Sequence, residues 1–200
     1  FLLRRRVVDL DPMLKVVGPK KQKTLPSFLR VQEMDRLLDE CSVNEGFEGV
    51  RDRLILEMFY ATGMRLSELI GLSDADVDLS AKLLKVTGQR NKQRLIPFGE
   101  ELWMDLLGYI KLRNETLPDR DDALFVRKDG KRMYPELVYK IVRRNLSKVA
   151  TLKKRSPHVL RHTFATAMLN GNAELQAVKE LLGHESLAAT VIYTHTSFEE

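Results

Sequence analysis

His158, Arg161 and His162 stand at i, i+3 and i+4, a spacing that puts all three on one face of a helix. Ser156 and Pro157 precede them, a capping residue followed by proline at the first helical position. His158 and Arg161 would then project from a first turn, where unpaired N–H groups and the helix dipole favour an anion. An imidazole and a guanidinium so placed form a phosphate clamp, because the planar arginine fork can donate two hydrogen bonds to phosphate oxygens. Blander readings make His162 a packed core histidine and Arg161 half of a surface ion pair. His158-x-x-x-His162 also has the spacing of half a zinc site. The zinc-protease motif, however, needs Glu directly after its first histidine, and Val159 holds that place. We expect no metal.

Three further segments carry candidate chemistry. Arg65 follows Ala61-Thr62-Gly63-Met64, a glycine turn opening onto a helix, which exposes the arginine near another anion-favouring terminus. Gly183-His184 closes an amphipathic helix and leaves His184 in a turn. Tyr193 comes nine residues later, within Val191-Ile192-Tyr193-Thr194-His195. Taken singly, these are a surface arginine, a turn histidine and a packed aromatic.

The elements that must position these residues follow from hydrophobic period and breakers. Ser27 caps a helix to about Cys41, with Phe28, Val31, Met34, Leu37 and Leu38 on one face. A second helix over 48–61 stops at Gly63, and a short one runs from Arg65 to Leu72. Leu83–Val86 and Arg94–Pro97 read as strands around a polar hairpin turn, Gly88 to Lys92, and 77–79 as a third strand. Helical period returns at 99–114, 135–149, 157–170, 174–182 and 186–193. The expected fold is mostly α with a small three-stranded antiparallel β-sheet.

Composition bounds the partners. Of 33 Lys and Arg, eight fall within residues 1–30 against only Asp9 and Asp11. A second basic stretch runs from Arg127 to Arg155. Segregated positive charge suits a polyanion such as nucleic acid, although a solvated basic face has the same composition. The single cysteine, Cys41, rules out a disulfide framework within the chain. No apolar run is long enough to span a membrane. Gly18-Pro19-Lys20-Lys21-Gln22-Lys23 reads as a basic linker. Residues 1–25 are expected to be the end of a preceding domain plus this linker, and 26–200 a catalytic domain cut short at its C-terminus.

Arg65 within A-T-G-M-R-L-S-E-L, His158-x-x-Arg161-His162, Gly183-His184 and Tyr193-x-His195 occur in this order. Together they resemble the tyrosine recombinase family, the phage integrase and Xer-type enzymes, from about residue 24 to the end. The resemblance implies a site-specific recombinase or integrase that cleaves and rejoins DNA through a 3′-phosphotyrosyl link. It implies Tyr193 as nucleophile, Arg65 and Arg161 on the non-bridging phosphate oxygens, and His158 positioning or deprotonating the nucleophile. His184 would be a further phosphate contact and Glu68 a supporting carboxylate beside Arg65. Arg90, Arg94, Lys20, Lys21 and Lys23 would bind DNA. Covalent attachment conserves the bond energy, so no cofactor is implied, neither ATP nor a divalent metal. The implied partner is double-stranded DNA, with a homotetramer assembling on it when the protein is full length, the chain alone being monomeric and poorly active. The implied setting is a prokaryotic cytoplasm, at the nucleoid, with no membrane.

One position departs from the pattern. The family places a lysine in the hairpin turn, as G-K-x-x-K-x-R, where this chain reads Gly88-Gln89-Arg90-Asn91-Lys92-Gln93-Arg94. A glutamine amide cannot release a proton to the departing 5′-oxygen. Three readings stay open: Lys92 takes the lysine's place, the residue has been changed from the natural one, or leaving-group protonation is slow. Rival functions are a type IB topoisomerase-like enzyme without sequence preference, a DNA-binding module with weakened catalysis, and a hydrolase using His158, His162 and His184 on a metal.

Overall fold

The computed structural model describes residues 5, 27–42, 46–149, 152, 154–184 and 188–191. Its centre is α2 (Phe47–Thr62), which buries Leu54, Ile55, Leu56, Met58 and Phe59. A helix apolar on most sides must be covered on most sides. The cover comes from α1 (Val31–Ser42), α4 (Glu100–Thr116), α5 (Pro135–Val149) and α6 (Pro157–Asn170). The short α3 (Leu66–Gly71), α7 (Leu175–Leu182) and α8 (Ala188–Val191) complete the described helices.

Strands β1 (Val77–Asp78), β2 (Leu83–Thr87) and β3 (Gln93–Pro97) form an antiparallel sheet in that order. Leu84 pairs with Ile96 and Val86 with Arg94. Leu84, Val86 and Ile96 are buried while Lys85 and Thr87 face out, the period-two pattern of a half-buried strand. The architecture is therefore the expected one, mostly helical with a small three-stranded antiparallel sheet.

Two local expectations are corrected. The first helix starts at Val31, not at Ser27, and its first turn is closed by Glu33, whose Oε2 accepts from the Arg30 N–H at 2.9 Å. Residues 27–30 are instead tied to α6, where the Leu29 N–H donates to Thr163 Oγ1 at 2.9 Å. Leu29 is therefore buried and Val31, expected inward, is 60% exposed. The stretch 117–134, to which no element was assigned, contributes four consecutive buried residues, Ala123 to Val126. It is pinned by single bridges from Ser73 to Ala123 and from Val126 to Arg132. Arg113 of α4, fully buried, donates to the Ala123 and Leu124 carbonyls and to Asp74.

Between α2 and α4 a carboxylic acid is buried with little compensation. Burial pushes Glu57 up to about 8, reinforced by its hydrogen bond to Asp105 and that group's charge. Asp105 is in turn paired with Arg53 at 3.1 Å. Among the described residues no helix is long and apolar enough to cross a membrane.

Candidate active site

Helix α6 begins at Pro157 as its sequence dictates, preceded by Ser156 in extended conformation, although the serine side chain makes no capping bond. Val159 and Leu160 anchor the first turn in the core, leaving His158 exposed at the surface. Arg161 is nearly covered, at 5% exposure. Its guanidinium is gripped by neutral acceptors: Nη1 donates to the Gly63 carbonyl, and Nη2 to the Leu182 carbonyl at 2.7 Å. Nη2 also lies 3.0 Å from His184 Nε2.

Gly63 closes α2 in the left-handed region, φ +59. A side chain there would be strained and would also collide, since a Cβ would sit 2.3 Å from Phe164 Cδ1. The glycine thus lets α6 and α7 approach the end of α2 and offers its carbonyl to Arg161.

Arg65 is the N-cap of α3, and Glu68 at the third helical position reaches back to it. Glu68 Oε2 accepts from the Arg65 N–H at 2.7 Å, and Oε1 from Arg65 Nη1 at 3.0 Å. Arg65 Nη2 continues to the Gly183 carbonyl at 3.1 Å. Glu68 is buried at 2% exposure. Burial alone would push its carboxyl up. Hydrogen bonds from Arg94 and the Arg65 backbone, with the charges of both arginines, outweigh that and hold it at about 2.

Arg94 was expected on a DNA-facing surface, and its placement does not fit that. Its fork is turned into the domain, with Nη1 and Nη2 on the two Glu68 oxygens at 2.8 and 2.9 Å. Its Nε donates to the Leu181 carbonyl at 2.7 Å. The consequence is a regular pattern at the end of α7. The last carbonyls of a helix lack intrahelical donors, and here three in succession each accept from a different arginine: Leu181 from Arg94, Leu182 from Arg161, Gly183 from Arg65. The negative end of the helix dipole favours the cations there.

His184 follows directly. Its Nδ1 lies 2.9 Å from Thr190 Oγ1, on α8. Burial, then the charges of Arg161, Arg65 and Arg94, lower its pKa to about 4. His162 is likewise lowered to about 4, by burial and by His158, Arg161 and Lys154.

Met64, Arg65, Leu66, Tyr139, Pro157, His158 and Arg161 line one cavity of about 190 Å³. The structure thus brings together Arg65, His158 and Arg161, with His184 one hydrogen bond behind Arg161. Glu68 lies behind Arg65. Tyr139 of α5 and Thr190 of α8 were missed by sequence reasoning. An exposed aromatic on a helix with a basic face was a signal for the former, and Thr190 carried none. The hairpin turn stands beside this group: a Cβ on Gly88 would lie 3.1 Å from Glu68 Oε1. Gln89, Arg90 and Lys92 follow it, all exposed. Tyr193, Lys20, Lys21 and Lys23 lie outside the described residues. Among the described residues, no three His, Cys, Asp or Glu side chains gather as a metal site.

The model of the phage integrase family matches residues 27–200. The chain is 39% identical over 219 residues to the tyrosine recombinase XerC of Chlorobaculum tepidum, covering 99% of this chain and 65% of that protein. It is 38% identical over 200 residues to the tyrosine recombinase XerD of Oceanobacillus iheyensis, covering 98% and 67%. It therefore spans about two thirds of the length of these relatives. The fold overlays the XerH site-specific recombinase, solved bound to palindromic difH substrate in a post-cleavage complex. That match has a TM-score of 0.81 at 28% identity, over 93% of this chain and 55% of that one.

Proposed function

This chain belongs to the phage integrase family, and we propose that it is the catalytic domain of a site-specific DNA recombinase. The observation that carries the reading is the shared cavity of Arg65, His158 and Arg161, with His184 bonded to Arg161. Three polar groups from two helices far apart in sequence converge where a phosphate would sit. The named relatives are tyrosine recombinases, and the XerH structure holds its substrate DNA. The catalytic domain is assigned to residues 26–200, and residues 1–25 to a basic linker region.

In the proposed reaction Tyr193 Oη attacks the scissile phosphorus. The P–O5′ bond breaks, giving a 3′-phosphotyrosyl link and a 5′-oxygen that takes up a proton. Rejoining reverses these steps, with the 5′-hydroxyl as nucleophile. Arg65 and Arg161 donate to the non-bridging oxygens, where negative charge grows as the nucleophile arrives. His158, exposed at the cavity mouth, accepts or orients the tyrosine proton. His184 supports Arg161 on the same phosphate. Free tyrosine has a pKa of about 10, so the two arginines are also what makes its phenolate accessible near neutral pH.

Duplex DNA is the proposed partner, held through phosphate contacts and hence with strong salt dependence. Arg90 in the hairpin turn and the linker lysines Lys20, Lys21 and Lys23 are proposed contacts. Recombination joins two duplexes, so the full-length protein is proposed to act as a homotetramer on DNA.

The test is covalent capture. A duplex nicked close to the cleavage point loses its short 5′-hydroxyl fragment and traps the intermediate. Incubated with a pool of such duplexes, the chain should yield a protein–DNA adduct resistant to denaturation, and Tyr193→Phe should yield none. An adduct that persists in Tyr193→Phe, or DNA binding with no adduct on any duplex, would overturn the reading.

A further inference from the structure

Arg94 makes three side-chain hydrogen bonds inside the domain, and neither of their partners, Glu68 and Leu181, lines the cavity. It belongs to β3, which the hairpin turn joins to β2. Its bidentate bond fixes Glu68 of α3, and its Nε fixes the Leu181 carbonyl of α7. Gly183 lies close against the guanidinium; a Cβ there would lie 3.0 Å from Nη1 and 3.3 Å from Cζ. One group that Arg94 holds, Glu68, is also a ligand of Arg65, and the other ligand of Arg65, the Gly183 carbonyl, lies two residues beyond the Leu181 carbonyl that Arg94 takes. The arginine next in line, Arg161, takes the carbonyl between.

We propose that Arg94 is a positioning residue for DNA cleavage: it locks Glu68 and the end of α7 together, and so aims the Arg65 fork at the scissile phosphate without touching DNA itself. The proposal rests on the recombinase reading. Arg65 alone has a side chain with four rotatable bonds, and a fork that wanders gives up orientation worth orders of magnitude in rate. Glu68 by itself could hold either arginine loosely. With both of its oxygens engaged by Arg94, it presents Oε1 to Arg65 in one orientation only. Lysine cannot reproduce this, because an ammonium lacks the planar pair of donors.

The experiment compares Arg94→Met and Arg94→Lys with the unaltered chain on two nicked duplexes. One carries an ordinary phosphodiester at the cleavage point, the other a neutral methylphosphonate. If Arg94 works through Arg65, Arg94→Met should slow adduct formation on ordinary DNA by about 100-fold, the scale of one lost oxyanion donor. DNA affinity should stay within about twofold, since the transition-state contact alone is lost. On the methylphosphonate, which carries one negative charge fewer at every stage and one non-bridging oxygen fewer for the arginines to hold, the penalty should shrink to a few-fold. Arg94→Lys should fall between the two on ordinary DNA. Equal penalties on both duplexes would overturn the proposal in favour of a general loss of structure. A large loss of affinity with cleavage intact would overturn it in favour of a direct DNA contact. A readout independent of cleavage is the 15N signal of the Arg65 guanidinium in DNA-free protein. Hindered rotation in the unaltered chain that becomes free in both variants supports the proposal, and rotation unaffected by either variant sinks it. An unaltered chain that never cleaves would sink the recombinase reading alone, and the guanidinium signal would still decide the role of Arg94.

Discussion

Arg161 Nη2 lies 3.0 Å from Nε2 of His184, and a guanidinium can only donate. The imidazole must accept at Nε2 and carry its proton on Nδ1, which then donates to Thr190 Oγ1 at 2.9 Å. In this state His184 holds Arg161 and is not itself a donor to phosphate.

The first prediction concerns its titration. The folded pKa of about 4 lies below the ordinary value of 6.5. Between those values the unfolded chain binds a proton that the folded one refuses, so this contribution to stability is complete above 6.5 and is lost as pH falls toward 4. A 15N-edited titration should show His184 neutral with its proton on Nδ1 at pH 7. Thr190→Val should weaken the fold by about 1–3 kcal/mol, because a buried donor loses its acceptor. A neutral Nε2–H form at pH 7 would refute the assignment.

Glu57 predicts the opposite sign. Its folded value of about 8 lies above the ordinary 4.5, so its contribution is present at low pH and is lost as pH rises from 4.5 through 8. Glu57→Gln keeps the shape and removes the ionisation. Its melting temperature should therefore exceed that of the unaltered chain at pH 8 and approach it at pH 5.

Gly63 should tolerate no side chain. Gly63→Ala meets positive φ and a 2.3 Å clash with Phe164. We expect a stability loss of about 2–4 kcal/mol from strain and overpacking together. Because the Gly63 carbonyl holds Arg161, cleavage should fall further than the fraction of folded protein does.

Gln89 predicts a defect confined to the leaving group. A substrate with sulfur at the bridging 5′ position departs without protonation, so it should cleave much faster than ordinary DNA. Gln89→Lys should speed ordinary DNA by about 100-fold, the scale of a general acid, and leave the sulfur substrate unchanged. Equal rates on both substrates in the unaltered chain would show that Lys92 or another group already supplies the proton.

What the sequence made legible was local. The bounds of α6 follow from Ser156-Pro157 at one end and the period of its apolar residues up to Asn170. Arg65, His158, Arg161 and His184 could be picked out because their segments occur together and in order, and Glu68 because the same resemblance implies it; singly, each has an ordinary structural reading. Arg94 could not be placed correctly. A basic residue closing a polar turn has the composition of a surface contact, and its partners Glu68 and Leu181 lie 26 and 87 residues away. Val31 was misjudged for a related reason. The apolar period admits it, but the bond from Leu29 to Thr163 sets the rotation of that helix. The buried stretch Ala123 to Val126 escaped notice because single bridges and a buried arginine hold it, and neither has a periodicity.

The arginines at the end of α7 have a consequence for the charge of the site. Two of them share one carboxylate, Glu68, and the third donates to two backbone carbonyls and lies against His184. Among the described residues at this helix end, with His184 neutral, three guanidiniums and one carboxylate leave two positive charges in excess. A phosphodiester at rest carries one negative charge, and the five-coordinate phosphorus formed on attack carries two. The pocket is thus overcharged for the ground state and balanced at the top of the barrier, so it binds the passing species better than the stable one.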